Sequence, residues 1–572
     1  MNSLRQWYSS CAAFLRAREP FQIFLAAALF FAVFFSVYFS VSTISSSDDH
    51  FFHLRFAQEM LNNGFFDSFR DFHSIYFSNI AQGNAYFVYY NFLFYLFILP
   101  FTFVAPLYLG IKLYAVFAVT AAFTLLYFCL KRFEIKNPFV WTLLFIAITN
   151  VSSIWRFFLS RPYSLAPSLL LLLLFFLYRK NHLGVFLVSA IYMFWHSATF
   201  FMPLGVAVVY YLVERFYGSR GDIKNLLYAF FGTALAVLST YLVSSGFLLY
   251  MKEIIFGTYL ETIIGKKVAI GEGGELYPAD FFNLIQANSL IFALFVTALS
   301  VDIYSYVSYR FRQAGVGAAE YFAGLSEARR HLQTSVLIMT AGFFLGTIVM
   351  SSRFGDYFTF FAALYIALCF DYVRRLMSVS GNAMIRRSMA TGLAIVLVYL
   401  FVSNMLFLQN RLAYGTNPNE LLQVGMWLKE NTKPGTIVFN ANWSWFPQLY
   451  YNSPNNNYVT GLEPRFTYTY DPKIYWLWAH IAANGYVCEA EKCLEIAALQ
   501  TEALAKDATI AAWAKIEGEK IADAMLDKLH SPYVVTSRDY RILNYTMDHS
   551  DRFKRELYNE QYGYLVYSVK PK

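Results

Sequence analysis

The chain has 572 residues, 58% of them hydrophobic and 20% aromatic, but only 14% charged. A soluble chain of this length carries about a quarter charged residues, so an ordinary soluble globular protein is excluded. The formal charge of +8 is not a nucleic-acid signal, because the basic residues sit in short loops between apolar runs. That is the pattern of a polytopic membrane protein that keeps Lys and Arg on the inner side.

Arg5, Arg16 and Arg18 precede the first apolar run, Phe21 to Val41, which places the N-terminus in the cytoplasm. The run is too long for a cleaved signal peptide and lacks a small-residue cleavage site. It leads to an outer loop, residues 45–105, whose second half (NAYFVYYNFLFYLFILPF) is apolar and aromatic-rich. This half is read as helices lying in the outer interface, where Tyr is favoured. With that segment not crossing, spans follow at about 107–130, 138–153 and 164–178, then a pair meeting outside near His196. Further spans lie at about 225–246, 286–308, 335–350, 357–370 and 389–408. Every basic cluster, from Lys131 and Arg132 to Arg386 and Arg387, then falls inside. The count is about 11 transmembrane helices, with a second outer loop at 247–285.

Composition changes near residue 412. A domain spanning 412–572 follows a membrane domain of 1–411. Strand-like runs TIVFN, NYVTG, YVVTS and YLVYSV alternate with helix-period stretches, which predicts a small α/β domain on the outer face. Cys488 and Cys493 lie close together there, and an oxidising compartment allows a disulfide.

The same topology gathers polar residues on the outer face. Asp48 and Asp49 stand where the chain leaves the first span, with His50, His53 and Arg55 behind them on a helix-period segment. A carboxylate at that edge suits a base acting on a lipid-borne substrate, while one of the two acids also suits a helix N-cap. Arg156, Arg161 and Arg353 lie at outer ends of spans. Their guanidinium forks fit phosphate oxygens, and snorkelling is the alternative for the first two. His196 reads as a substrate contact or a satisfied turn residue. Glu253, Glu261, Glu272 and Glu275 in the second outer loop read mostly as solvated charges, on a Gly-containing loop suited to a lid. Lys112 and Asp302 are ionisable exceptions in otherwise clean spans, which argues against transport.

Asp49-His-Phe-Phe-His-Leu-Arg55 resembles the D-x-[FY]-[FY]-x-x-R stretch after the first span of oligosaccharyltransferase catalytic subunits. The same segment, through Gln58-Glu-Met-Leu61, resembles the D-E-x-R-Y…R-E-M-L segment of lipid A aminoarabinose transferases. The run YVTGLEPRFTYTYDPKIYWLW resembles a stretch of uncharacterised bacterial members of the same GT-C superfamily.

The resemblance implies a multi-pass inner-membrane glycosyltransferase with its C-terminal domain on the periplasmic or extracellular side. The sugar would come from a polyprenyl-phosphate donor and pass, with inversion, to an acceptor the sequence does not name. Asp49 aligns with the catalytic carboxylate and Asp48 is its neighbour. Arg353, Arg161 and Arg156 would hold the donor phosphate. His50, His53, His196, Trp443 and Trp445 are candidate substrate contacts.

Two departures matter. The outer loop between the spans at 138–153 and 164–178 reads NVSSIWRFFLSRPYS, without the acidic pair that binds a metal in oligosaccharyltransferases, so no metal or other cofactor is assigned. The peptide-binding W-W-D motif is replaced by Asn442-Trp-Ser-Trp-Phe446, so transfer to asparagine is not expected. The competing readings are a non-catalytic lipid-linked-sugar transporter and an envelope-assembly scaffold.

Overall fold

The computed structural model describes residues 19–45, 49–70, 72–78, 91–219, 221–244, 246–265, 270, 273–310, 325–379, 383–493 and 507–572. The expected spans are all helical, but they differ in reach. Among the described residues, seven helices are long and apolar enough to cross a membrane: Glu19–Phe39, Leu107–Arg132, Ser197–Phe216, Ile223–Val243, Ser289–Val307, Glu327–Val349 and Thr391–Ala413. The span expected at 138–153 is a helix pair, Pro138–Ile148 and Val151–Phe157, bent by 112°. Three others, Pro162–Tyr178, His182–Trp195 and Phe354–Phe370, are shorter apolar helices. The aromatic segment continues in the described residues as Phe92–Ile98 and Leu99–Phe103, too short to cross; residues 84–90 lie outside the description.

The bend has a local cause. Thr149 is extended and ends the first helix, and the Asn150 side chain accepts from Ser152 N to start the second. The chain therefore folds back and carries Arg156 toward the protein interior. Both ionisable exceptions have hydrogen-bond partners. Lys112 Nζ donates to the carbonyls of Val41 (2.5 Å) and Tyr38 (3.3 Å), and so satisfies the C-terminal end of the first span. Asp302 accepts from the Tyr365 hydroxyl at 2.8 Å.

The C-terminal region carries a five-stranded sheet: β1 (Ile437–Asn440), β2 (Asn457–Tyr458), β3 (Tyr533–Ser537), β4 (Phe553–Asn559) and β5 (Tyr564–Val569). The order is β2-β1-β3-β5-β4, parallel on one side and antiparallel from β3 onward. Cys488 and Cys493 are joined by a disulfide. The helix-period stretch 491–503 lies mostly outside the described residues.

This region is locked to the first outer loop. Ile44 and Thr416 exchange backbone hydrogen bonds of 2.9 and 2.8 Å, and Tyr76 N donates to Tyr458 O at 2.9 Å. A Cβ at Gly415 would lie 1.9 Å from the Ile44 carbonyl oxygen, so only glycine permits that approach. Helix Phe446–Asn452 packs on helix Asp49–Asn63 through Phe446 and Tyr450 against Phe52, and Tyr451 against Phe51. The Tyr450 hydroxyl donates to Glu59 across the same contact. The helix that begins with Asp49 is thus held from both sides.

Candidate functional site

Asp49 is the first residue of helix Asp49–Asn63. Its Oδ2 accepts from Arg161 Nη2 at 2.7 Å, so its carboxylate is engaged by a guanidinium. A carboxylate has a second oxygen available as an acceptor. Burial pushes the Asp49 carboxyl above its ordinary range against the pull of Arg161, and the neighbouring Glu275 charge adds to the rise. A base poised above the usual carboxylate range is a stronger proton acceptor. Asp48 lies outside the described residues.

The three arginines singled out in the sequence converge. Arg161 sits in extended backbone before Pro162, as a residue preceding proline should. Its Nη1 donates to Glu275 Oε1 at 2.7 Å. Arg353 Nη2 donates to the same oxygen, and Arg156 Nη1 donates to Oε2 at 3.0 Å. Arg156 Nε also donates to Asp356 Oδ2 at 2.8 Å, and its guanidinium lies over the Tyr163 ring. Three acids and three arginines therefore form one continuous network. Snorkelling toward solvent is ruled out for Arg156 and Arg161, whose side chains are 16% and 19% exposed.

Glu275 corrects the sequence reading. It is not a solvated loop charge; its side chain is 19% exposed and lies at the centre of the network. Burial would push its carboxyl up, but Arg353, Arg161 and Arg156 together hold it well below the usual range. Glu261 lies 3.8 Å from Arg465, whereas Glu272 is outside the described residues. The signal for Glu275 was weak, one acid in a Gly-containing loop, and only the fold brings the three arginines to it.

Beside this network is a cavity lined by Arg156, Arg161 and Arg353 with Tyr259, Tyr357 and His196, among others. Asp49 is not in the lining; it stands behind Arg161. His53 also lines the cavity, its Nδ1 2.8 Å from the Tyr95 hydroxyl. His196 Nδ1 is 2.7 Å from Thr199 Oγ1, which in turn reaches Tyr192 and Tyr357. Burial and the Arg353 charge push the His196 ring down to about 3, so it stays neutral.

Three of the expected substrate contacts are placed elsewhere. His50 bridges backbone, accepting from Ser160 N at 2.8 Å through Nδ1 while Nε2 donates to Ser45 O at 3.1 Å. One ring nitrogen ties helix Asp49–Asn63 to the Arg161 loop, and the other ties it back to Ser45. Trp443 and Trp445 pack within the C-terminal region, Trp445 edge-on to Tyr540 and Tyr564, and neither lines the cavity.

Among the described residues, the His/Cys/Asp/Glu group with metal-ligand spacing is His480, Cys488 and Cys493, whose cysteines are bonded to each other. It shares no residue with the cavity lining.

No protein-family model matches the sequence, and no curated protein matches it. The fold does match solved structures. One is the crystal structure of ArnT from Cupriavidus metallidurans bound to undecaprenyl phosphate, at 11% identity and a TM-score of 0.56, covering 97% of this chain and all of that one. Another is the same protein in the apo state, at 11% identity and a TM-score of 0.51, covering 96% of this chain and 99% of that one. This chain thus shares the fold of that solved protein, with a C-terminal α/β region. At this identity the likeness concerns the fold, and chemistry must be argued from the residues.

Proposed function

We propose that this protein is a membrane glycosyltransferase that takes its sugar from a polyprenyl-phosphate donor on the non-cytoplasmic face. The observation that carries the reading is the convergence of Arg156, Arg161 and Arg353 on one point beside a cavity, with Asp49 bonded to one of them. Three guanidiniums at one point make a site for phosphate oxygens, since the planar fork donates two parallel bonds. The ArnT structure with undecaprenyl phosphate shows a protein of this fold bound to a lipid of that class.

In the proposed reaction Asp49 accepts the proton of an acceptor hydroxyl. The hydroxyl oxygen forms the new bond to the anomeric carbon. The bond from that carbon to the phosphate oxygen breaks, and its electron pair leaves with the lipid phosphate. The arginines stabilise the charge that develops there. A single displacement inverts the anomeric centre. His53, His196 and Tyr357 would face the sugar from the neutral part of the cavity.

The test uses purified protein in lipid nanodiscs with a radiolabelled polyprenyl-phosphate sugar. Asp49→Asn should lower turnover by about a hundredfold to ten-thousandfold, the usual share of a general base, while undecaprenyl phosphate still binds. Turnover that survives Asp49→Asn rejects the assignment of the base, and absence of lipid-phosphate binding rejects the reading as a whole.

A further inference from the structure

The network poses a problem of occupancy. The three arginines that would receive the donor phosphate are already engaged by Glu275. Its Oε1 accepts from Arg161 and Arg353, its Oε2 from Arg156. Arg156 and Arg161 come from one stretch of chain and Arg353 from another, and Glu275, from a third, bonds to all of them. A carboxylate and a phosphodiester have the same relevant chemistry: two terminal oxygens sharing one negative charge. We propose that Glu275 occupies the place of the donor phosphate in the unliganded protein, and that the incoming phosphate displaces its carboxylate. This rests on the reading of the arginines as the phosphate site.

The way the residue is mounted supports a swing of the side chain alone. The main chain around it is anchored to the segment that carries Arg353. The Glu275 carbonyl accepts from Ser351 Oγ at 2.7 Å and from Ser352 Oγ at 3.2 Å. Ser352 N donates to Tyr277 O at 2.8 Å, and Ala279 N donates to Thr347 O at 2.9 Å. With the backbone held, the flexible Glu side chain can leave while the arginines stay in place. A merely structural acid would have no reason to take all three phosphate ligands.

The exchange also conserves charge. Asp49, Glu275 and Asp356 balance Arg156, Arg161 and Arg353. A phosphodiester that took the Glu275 position would restore the same balance at the arginines, provided the displaced carboxylate moves away. An anion that entered without displacing it would add an uncompensated charge to a buried site, which is costly. Glu275 thereby makes the empty site tolerable and competes with weak anions for it.

The experiment measures binding of undecaprenyl phosphate to the full chain in nanodiscs, for wild type, Glu275→Gln, Glu275→Asp and Arg353→Gln. Melting without lipid checks folding of each variant. If Glu275 holds the site closed for about nine-tenths of the time, removing its charge tightens apparent binding by about tenfold. Glu275→Asp keeps the charge but shortens the reach, so it folds without the charge imbalance and should tighten binding by a smaller factor. Arg353→Gln should weaken it. Unchanged or weaker binding in both Glu275 variants, with Arg353→Gln still defective, overturns the displacement and leaves Glu275 as a strut that orients the arginines. Wild-type binding in Arg353→Gln instead rejects the phosphate site itself. Should Glu275→Gln fail to fold, Glu275→Asp decides the matter alone.

Discussion

Arg161→Gln probes the network where base and phosphate site meet. Arg161 spans Asp49 and Glu275 with one bond of 2.7 Å to each, and its side chain is 19% exposed. Removing one partner of a buried ion pair costs about 3–5 kcal/mol, because the charge left behind stays buried. That is a large part of the stability of a typical domain, so the variant should melt well below wild type at neutral pH. The effect on pH follows with a definite sign. Burial raises the Asp49 carboxyl, and Arg161 is the main influence holding it down. Without Arg161 the folded-state pKa rises further, because the adjacent guanidinium no longer favours the charged carboxylate. A carboxyl raised above its unfolded value costs stability when ionised, and that cost disappears as pH falls through the folded pKa. The stability deficit of Arg161→Gln should therefore shrink on acidification, as the pH falls through the raised folded-state pKa of Asp49. The acid limb of kcat/KM should move to higher pH in the same variant. Thermal melts and a pH–rate profile in nanodiscs measure both. A wild-type acid limb in a folded Arg161→Gln protein would refute the coupling of Asp49 to Arg161 and its role as base.

Further outcomes are expected elsewhere in the chain. Arg353→Lys keeps the charge but loses the fork, so donor KM should rise while the melting temperature changes less than in Arg161→Gln. Tyr450→Phe removes the hydroxyl that donates to Glu59, a contact between the α/β region and the first outer helix. A hydrogen bond to a charged group contributes about 1.5–3 kcal/mol, so limited proteolysis should release the C-terminal region sooner. A cysteine placed at Asn417 should be labelled by an impermeant reagent from the outer side, and one at Lys136 should not. Labelling of both from outside would refute the proposed orientation.

Much of the membrane architecture was legible because a bilayer imposes long apolar runs and a charge asymmetry that single sequences display. The reach of individual helices was less so. The segment 138–153 is apolar throughout, yet Thr149 and Asn150 break it into two helices bent by 112°. Four strands announced themselves through β-branched and aromatic runs. The fifth, Phe553–Asn559, did not, since FKRELYN carries alternating charges that suit its place at the exposed edge of the sheet. The candidate site was legible in its arginines and in Asp49, where unusual residues stand at span ends. His50 and Glu275 were misjudged for opposite reasons. His50 looks like chemistry in sequence and serves as a backbone bridge, while Glu275 looks like solvated charge and is the hub of the network. Both roles depend on residues about 75 to 120 positions away, which no local pattern records.

The balance of charge explains why such a hub is needed. Three guanidiniums aimed at one point beside an apolar membrane domain would repel one another at full strength in a region of low dielectric. Arginine cannot shed its proton to relieve that repulsion, as lysine can when buried. The empty site must therefore carry its own anions, and Asp49, Glu275 and Asp356 supply them. Two of these acids each hold a single arginine, whereas Glu275 holds three. The first kind sets the position of an arginine and, in Asp49, doubles as the proposed base. The second kind sits where an oxyanion would sit. A site assembled this way is preorganised before its ligand arrives, because the arginines have already converged and their desolvation has already been met. On the proposed reading, an incoming lipid phosphate would exchange one anion for another rather than gather three cations from solvent.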